Sequence, residues 1–254
     1  MKITAILPVS RTKYLDRVIE SLENQTHKPN NLLVIFDGPQ EEFVEVRNKI
    51  LQLKYESVLC VKSRSNRLAF NIPDRRLRIV ELHKHFQEVI GDSEWIFSIE
   101  DDGILPPDAL EKLVKIVNKY DDVGMATGVE VGRWGVPYVG AWRADNVNDA
   151  RYLESVVDTM GPDVEEIDAC GLYCALIRVG KYQEHEFTTR NGLGPDVNLG
   201  LYLRREGYHN YIDWRIPVIH LNFKDGKEIE LHPYDETKVV KLKLLHGNIW
   251  QSYR

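Results

Sequence analysis

Residues 95–114 read WIFSIEDDGILPPDALEKLV, and this stretch predicts the fold of the region around it. Its first five residues, Trp95 to Ile99, are apolar and rich in aromatic and β-branched side chains, which predicts a buried strand. Gly103 then allows a tight turn, and Pro106-Pro107 opens an amphipathic helix. Between the strand and the turn stand three consecutive carboxylates: Glu100, Asp101 and Asp102.

This acidic triplet is expected to need a cation. Carboxylates at the carboxyl end of a buried strand repel one another strongly unless a positive charge lies beside them. Oxygen ligands of this kind suit a hard divalent metal ion. The triplet therefore predicts a metal site, and an acidic turn in solvent is the alternative interpretation.

Composition limits the classes of function. The chain has 254 residues, 28% charged and 43% hydrophobic, as in an ordinary globular protein that buries a full core. A formal net charge of −6 argues against a general nucleic-acid binder. No apolar run approaches the ~20 residues of a transmembrane helix, and the apolar run at the start is too short for a signal peptide. We expect a cytoplasmic protein without a transmembrane segment.

Hydrophobic periodicity predicts an α/β fold. Strands at residues 3–7, 32–36 and 57–61 alternate with helices up to the strand before the triplet, which indicates a largely parallel, wound sheet. Beyond Lys119 the alternation loosens. There the pattern predicts strands at 123–127 and 171–178, a helix over 196–206, one or two short strands within 211–221, and a last helix carrying Val239, Val240, Leu242, Leu244 and Leu245.

Polar groups follow three strands of the first half. Ser10-Arg11, Asp37 and the triplet each come directly after a strand, and ligands of wound sheets gather outside the carboxyl ends of the strands. Neither a GxGxxG fingerprint nor a GxxxxGK[ST] loop is found, which argues against dinucleotide-dependent dehydrogenases and P-loop NTPases.

Three segments carry a family resemblance. ITAILPVSRTKYLDRVIESLENQTHKPNNLLVIFDG, residues 3–38, resembles the opening of family 2 glycosyltransferases with the GT-A fold. Residues 95–114 resemble their metal-binding DxD strand and the helix after it. GPDVNLGLYLRREGYHNYIDWRIPVIH, residues 194–220, resembles their later helix, a short strand and a histidine. The segments follow one another in the family's order over residues 1–222.

The resemblance implies a single Rossmann-like GT-A domain with a central, mostly parallel mixed sheet flanked by helices. Residues 1–120 would be the nucleotide-binding half, 121–222 the acceptor-binding half and 223–254 a tail with a possible helix. The implied activity is transfer of a hexose from a nucleotide-sugar, with a UDP-sugar favoured, to an acceptor hydroxyl such as that of a saccharide. The implied cofactor is Mn²⁺ or Mg²⁺.

Site roles are carried over position by position. Asp196 would be the general base of an inverting transfer. The metal would be held by Asp102, His220 and Glu100. The nucleotide would contact Pro8, Val9, Ser10, Arg11, Asp37, Arg76, Arg78 and Asp101, and the sequence does not separate Arg76 from Arg78. The acceptor would meet the aromatic residues Trp134 and Trp142, which could equally be core.

Two departures keep alternatives open. Phe36 and Pro195 stand where the family has acids, so a catalytically silent nucleotide- or sugar-binding protein and a retaining transferase both remain alternatives. Asp196 directly precedes a predicted helix and could instead be its N-cap. A sugar nucleotidyltransferase is disfavoured because its GxGTR-type start is missing. The donor sugar, the acceptor, the stereochemistry and the oligomeric state do not follow from these residues.

Overall fold

A computed structural model describes residues 1–63, 75–132, 138–148, 152–156, 163–189, 193–224, 227–234, 241–245 and 249–253. Within these ranges lie six helices: α1 (Leu15–Glu23), α2 (Gln40–Ile50), α3 (Arg75–Val89), α4 (Ala109–Lys119), α5 (Val179–Glu184) and α6 (Pro195–Arg205). None of them is long and apolar enough to cross a bilayer.

The same ranges contain sixteen strands. The first eight are β1 (Ile3–Val9), β2 (Asn31–Phe36), β3 (Ser57–Lys62), β4 (Trp95–Ile99), β5 (Gly103–Ile104), β6 (Val123–Gly132), β7 (Tyr138–Val139) and β8 (Ala141–Ala144). The others are β9 (Tyr152–Ser155), β10 (Val164–Ile167), β11 (Ala169–Cys170), β12 (Cys174–Arg178), β13 (His209–Lys224), β14 (Lys227–Leu231), β15 (Lys241–Leu245) and β16 (Ile249–Tyr253).

The central sheet has the predicted α/β character. Its main strand order is β10-β13-β6-β12-β4-β1-β2-β3. Neighbours β1, β2, β3 and β4 run parallel, as do β6 and β13, whereas β12 runs antiparallel to both β4 and β6. All five side chains of β4 are buried, because helices cover both faces of a wound sheet. The mostly parallel mixed sheet with flanking helices is therefore confirmed.

The order of the first strands brings their carboxyl ends together. β1 lies between β2 and β4, with Val9 opposite Phe36 and Ile6 opposite Ser98. The residues that follow these three strands consequently share one edge of the sheet. This edge is the one that the sequence predicted for ligand binding.

One long strand replaces the short strands expected within 211–221. β13 runs from His209 to Lys224 and changes partners along its length, pairing with β6 and then with β5 and β14. An irregularity in the pairing between Ile212 and Pro217 lets the strand pass Pro217, which has no N–H to donate. Further along, His220 pairs with Gly103.

The predicted C-terminal helix is wrong. Lys241–Leu245 is a strand that pairs with β9 and β16, in a second sheet of order β11-β8-β9-β15-β16. The sequence KLKLL alternates charged and apolar residues, which suits a strand with one buried face better than a helix. Val239 and Val240 lie outside the described residues.

Helix α6 lies unusually close to the start of β11. A Cβ on Gly200 would come within 2.7 Å of the Cα of Ala169, so only glycine permits this approach. The buried Asn210 side chain donates to the carbonyls of Gly200 (3.0 Å) and Asp168 (2.9 Å), which holds the two elements together. The position of α6, and of the residues at its start, depends on this contact.

We expect Gly200→Ala to lower the free energy of unfolding by about 1–3 kcal/mol, because the added methyl overpacks a backbone contact. Gly180→Ala in α5 is the matched control: a Cβ added there would meet nothing within 4 Å, so alanine should be neutral or stabilise by up to about 1 kcal/mol. Urea unfolding followed by circular dichroism measures both, and equal effects of the two substitutions would contradict this account.

Candidate functional site

Asp101 anchors the loop that leaves β1. Its Oδ2 accepts hydrogen bonds from the backbone N–H groups of Ser10 (2.7 Å) and Arg11 (2.8 Å) and from the Ser10 hydroxyl (3.0 Å). Its Oδ1 accepts from Nε and Nη2 of Arg11, at 3.2 and 2.5 Å. The carboxylate is almost fully buried, so these bonds replace its lost hydration.

The Arg11 guanidinium bridges two members of the acidic triplet. Its Nη2 lies 2.5 Å from Asp101 Oδ1 and 2.7 Å from Asp102 Oδ2. Burial alone would lower the pKa of Arg11, but the charges of Asp101 and Asp102 and the hydrogen bond to Asp101 raise it overall. The cation that the triplet was expected to need is, in this structure, supplied by the chain itself.

Asp102 and His220 meet although 118 residues separate them, because β13 pairs with β5 beside the triplet. His220 Nε2 lies 3.3 Å from Asp102 Oδ2, and Nδ1 lies 2.8 Å from the carbonyl oxygen of Val131. A carbonyl only accepts, so Nδ1 carries a proton there. In the neutral ring Nε2 is then an acceptor that faces a carboxylate oxygen.

This donor set fits a divalent cation. Nε2 and the Asp102 oxygen repel each other unless the ring is protonated or both atoms bind one cation. An imidazole nitrogen together with a carboxylate oxygen suits Mn²⁺. Ligating histidines usually donate their other ring N–H to a carbonyl or carboxylate, as His220 does. Among the described residues no group of three or more His, Cys, Asp or Glu could hold a metal, so Glu100 does not complete one. Phosphate oxygens and water would have to supply the remaining ligands.

Glu130 is a further residue of the site that was not predicted from the sequence. This glutamate is buried on β6, and its Oε2 lies 3.6 Å from His220 Nδ1. It lines the same cavity as His220. An isolated acid inside the apolar run GVEVG was the available signal, since a charge is rarely buried in a strand without a partner.

Asp37 and Arg78 form an ion pair at the end of β2. Arg78 Nε lies 2.5 Å from Asp37 Oδ2, and Asp37 is only 2% exposed. Arg76 and Arg78 both line the cavity. Of the two, Arg78 is the one that holds Asp37 at the end of β2.

A cavity of about 640 Å³ joins the two halves of the chain. Pockets of roughly 300–1,000 Å³ are typical of small-molecule sites. Several residues predicted as site residues line it: Pro8, Ser10, Arg11, Arg76, Arg78, Glu100, Asp101, Trp142, Asp196 and His220. Val9, predicted beside them, is instead fully buried in the hydrophobic core. Trp134 lies outside the described residues.

Asp196 stands in the first turn of α6, not at its cap. The helix begins at Pro195, and Gly194 is the N-cap residue. The carboxylate folds back over Gly194, where a Cβ would come within 2.2 Å of Asp196 Oδ1. Burial raises the pKa of Asp196, although the backbone N–H groups of Val197 and of Asp196 itself oppose that shift. A cavity carboxylate with a raised pKa is suited to take up a proton.

Part of the cavity lining is aromatic and apolar. Tyr138 and Trp142 contact each other at a ring-centroid distance of 5.4 Å and are largely buried. His83 also lines the cavity, but burial lowers its pKa to about 3, so the ring is neutral. It stacks on Phe187 at 4.8 Å. Flat aromatic faces of this kind suit sugar rings.

We expect Asp101→Asn to lower the free energy of unfolding by about 2–4 kcal/mol, because the charged acceptor of the β1 loop and the Arg11 partner are both lost. Asp16→Asn is the control, since Asp16 is exposed and its pair with Lys49 should contribute less than about 1 kcal/mol. Chemical unfolding measures the difference, and equal losses in the two variants would mean that Asp101 does not anchor the loop.

Comparison with solved structures shows a shared fold. GalNAc-T7 with UDP, GalNAc and Mn²⁺ aligns with a TM-score of 0.64 and 12% identity, over 89% of this chain and 44% of that one. The mannosyltransferase PcManGT from Pyrobaculum calidifontis with GDP-Man and Mn²⁺ aligns with a TM-score of 0.53 and 13% identity, over 82% and 53%. S. aureus TarS 1-349 with UDP gives 0.52 and 13%, over 84% and 57%.

The chain thus spans about half the length of these three structures, and at such low identity the likeness concerns the fold. No curated protein sequence gives a significant match. The family model described as Glycosyl transferase family 2 matches residues 5–144, which include most of β1, the acidic triplet and Glu130. Because this match covers more than half of the 254 residues, the chain belongs to glycosyl transferase family 2.

Proposed function

We propose that this protein is a glycosyltransferase that moves a sugar from a nucleoside diphosphate sugar to an acceptor hydroxyl in a reaction that needs a divalent metal. UDP-sugars are the first donor class to test. Residues 1–120 would bind the nucleotide and residues 121–222 the acceptor. The single observation that carries the proposal is the meeting of Asp102 Oδ2 with His220 Nε2 at 3.3 Å, beside a cavity that also holds Asp196.

The nucleotide half offers an electrostatic frame for a diphosphate. Mn²⁺ or Mg²⁺ held by Asp102 and His220 would offset the charge of the leaving diphosphate. Ser10, Arg11 and Arg76 line the cavity on the same side and offer donors for phosphate or base. The similarly folded structures that contain UDP or GDP-Man, two of them with Mn²⁺, support a ligand of this class.

The acceptor half offers a base and a surface for a sugar ring. Asp196, with its raised pKa, would accept the proton of the acceptor hydroxyl as that oxygen attacks the anomeric carbon from the side opposite the diphosphate. Such an attack inverts the configuration. Trp142 would contact the acceptor through its face, alongside Tyr138.

Packing explains why Phe36 takes the place of a family acid. Its ring is fully buried and stacks on Phe43 at 6.0 Å. The Asp37 carboxylate and its partner Arg78 remain at this edge. Because Phe36 and Pro195 stand where the family has acids, a catalytically silent binding protein is the second candidate function. Such a protein would bind the nucleotide without any turnover.

Substitution of Asp102 by Asn should abolish metal-dependent nucleotide binding. Loss of an outer-shell partner typically costs 10–100-fold in metal affinity, so loss of a direct ligand should weaken UDP binding in MnCl₂ at least about a hundredfold. Isothermal titration with UDP, in MnCl₂ and in EDTA, measures this. Asp108→Asn, a change at an exposed carboxylate paired with Lys112, should bind UDP like the unmodified protein. UDP binding that is indifferent to both Mn²⁺ and Asp102→Asn would sink the proposal.

Substitution of Asp196 by Asn should separate catalysis from binding. Transfer should fall about 10²–10⁴-fold, the usual contribution of a general base, while UDP affinity stays nearly unchanged. The base works only when ionised, so the rate should fall as the pH drops through a pKa above the usual 3.8 of aspartate. Released nucleoside diphosphate measured against pH, with UDP- and GDP-sugars, reads both effects.

The same raised pKa has an opposite effect on stability. A carboxyl that binds its proton more tightly in the folded protein stabilises the fold below the unfolded pKa, and that contribution is lost as the pH rises through the folded pKa. At neutral pH, Asp196→Asn should therefore leave the melting temperature equal or higher. A marked loss of stability together with lost UDP binding would make Asp196 structural.

A further inference from the structure

We propose that Arg11 is a built-in counter-cation that holds the metal position in the resting protein and is exchanged for the divalent ion when the donor binds. The inference rests on the proposed function, because it assumes that a metal–diphosphate complex enters this cavity. It concerns what the chain does before that complex arrives, and it assigns Arg11 a role distinct from simple nucleotide contact.

Arg11 and His220 approach the same oxygen of Asp102. Asp102 Oδ2 lies 2.7 Å from Arg11 Nη2 and 3.3 Å from His220 Nε2. The guanidinium therefore lies on the oxygen that would be a metal ligand beside His220. A divalent cation and a guanidinium at one carboxylate oxygen repel each other at a separation of a few ångströms. One of them has to leave when the other binds.

The loop after β1 keeps its anchor when the Arg11 side chain moves. Asp101 Oδ2 accepts three hydrogen bonds that do not involve the Arg11 side chain: two backbone N–H groups and the Ser10 hydroxyl. Asp101 Oδ2 thus keeps its three hydrogen bonds when the guanidinium moves away, whereas Oδ1 loses the two that it accepts from Arg11. The Arg11 side chain is 37% exposed and lines the cavity, so it has a direct path into the space where the donor would lie.

The displaced Arg11 guanidinium would find a new partner in the diphosphate of the donor. A guanidinium presents a planar fork of N–H donors that matches phosphate oxygens. A diphosphate that arrives with the metal brings such oxygens into the cavity. Metal alone would have to displace Arg11 without compensation, whereas metal and diphosphate together supply a new partner for it. The expected behaviour is weak binding of Mn²⁺ alone and strongly cooperative binding of Mn²⁺ with UDP.

The test compares Arg11→Gln with Arg17→Gln. Arg17 is a matched control because it is an α1 arginine paired with Glu228 and Glu230 outside the cavity. Electron paramagnetic resonance of free Mn²⁺ gives the metal affinity in the absence of nucleotide. We expect Arg11→Gln to bind Mn²⁺ alone about tenfold or more tighter, because the competing charge is gone, and Arg17→Gln to match the unmodified protein. UDP should then enhance Mn²⁺ affinity less in Arg11→Gln than in the unmodified protein.

Thermal unfolding is a second measurement, and it tests the proposal even if Arg11→Gln is less stable than the unmodified protein. Without metal, Arg11→Gln should melt at a lower temperature, because Asp101 and Asp102 lose their cation. Added MnCl₂ should restore the melting temperature by a larger shift than in the unmodified protein. Arg11→Lys keeps the charge and should retain the weak metal binding of the unmodified protein.

Unchanged or weaker Mn²⁺ binding by Arg11→Gln would overturn the exchange, even where UDP binding still requires Mn²⁺ and the proposed function stands. Nucleotide binding that needs no metal and is lost in Arg11→Gln would also overturn it, since Arg11 would then be the permanent cation. Tighter Mn²⁺ binding by Arg11→Gln in a protein that binds no nucleotide would support Arg11 as the resting occupant of the metal position, but it would overturn both the proposed function and an exchange driven by the donor.

Discussion

Two adjacent, buried carboxylates at the end of β4 are the constraint on which the rest of the site depends. Asp101 and Asp102 are each at most 3% exposed, and burying such charges is costly unless each finds a partner. The partners come from far apart in the chain: the residues after β1, and His220 near the end of β13. Satisfying the two charges therefore holds three strands of the sheet to one point.

Apart from the Arg11 side chain that they share, the two neighbouring acids, Asp101 and Asp102, bind different partners. Asp101 accepts hydrogen bonds from the backbone N–H groups of Ser10 and Arg11 and so fixes the loop after β1. Asp102 faces His220, beside the cavity. The wound half of the fold supplies this rigid charged edge, and the irregular half supplies Asp196 and the aromatic part of the cavity lining. In an arrangement of this kind the charged groups lie at the ends of strands, whereas loops tolerate more sequence variation.

The features that could be predicted from the sequence are those written in local patterns. The apolar run of β4 identified its strand, and the shared edge of Ser10-Arg11, Asp37 and the triplet followed from parallel topology. The Arg11 bridge could not be predicted, because an ion pair depends on side-chain reach across two strands. Glu130 was missed since one acid in an apolar run has no periodic signal. A last helix was predicted wrongly because the five apolar residues within 239–245 fit the period of a helix as well as that of a strand. Residues 241–245 form a strand because they pair with β9 and β16.

The pairing of His220 with Gly103 has a consequence for how the chain can vary. The position of His220 relative to Asp102 is set by register against β5 and not by the length of the loops between Asp102 and β13. Those loops can lengthen or shorten without moving His220 away from Asp102. A slip of a single residue within β13 itself would turn the imidazole to the other face of the sheet. Insertions are therefore tolerated in the loops before β13 but not within β13 itself.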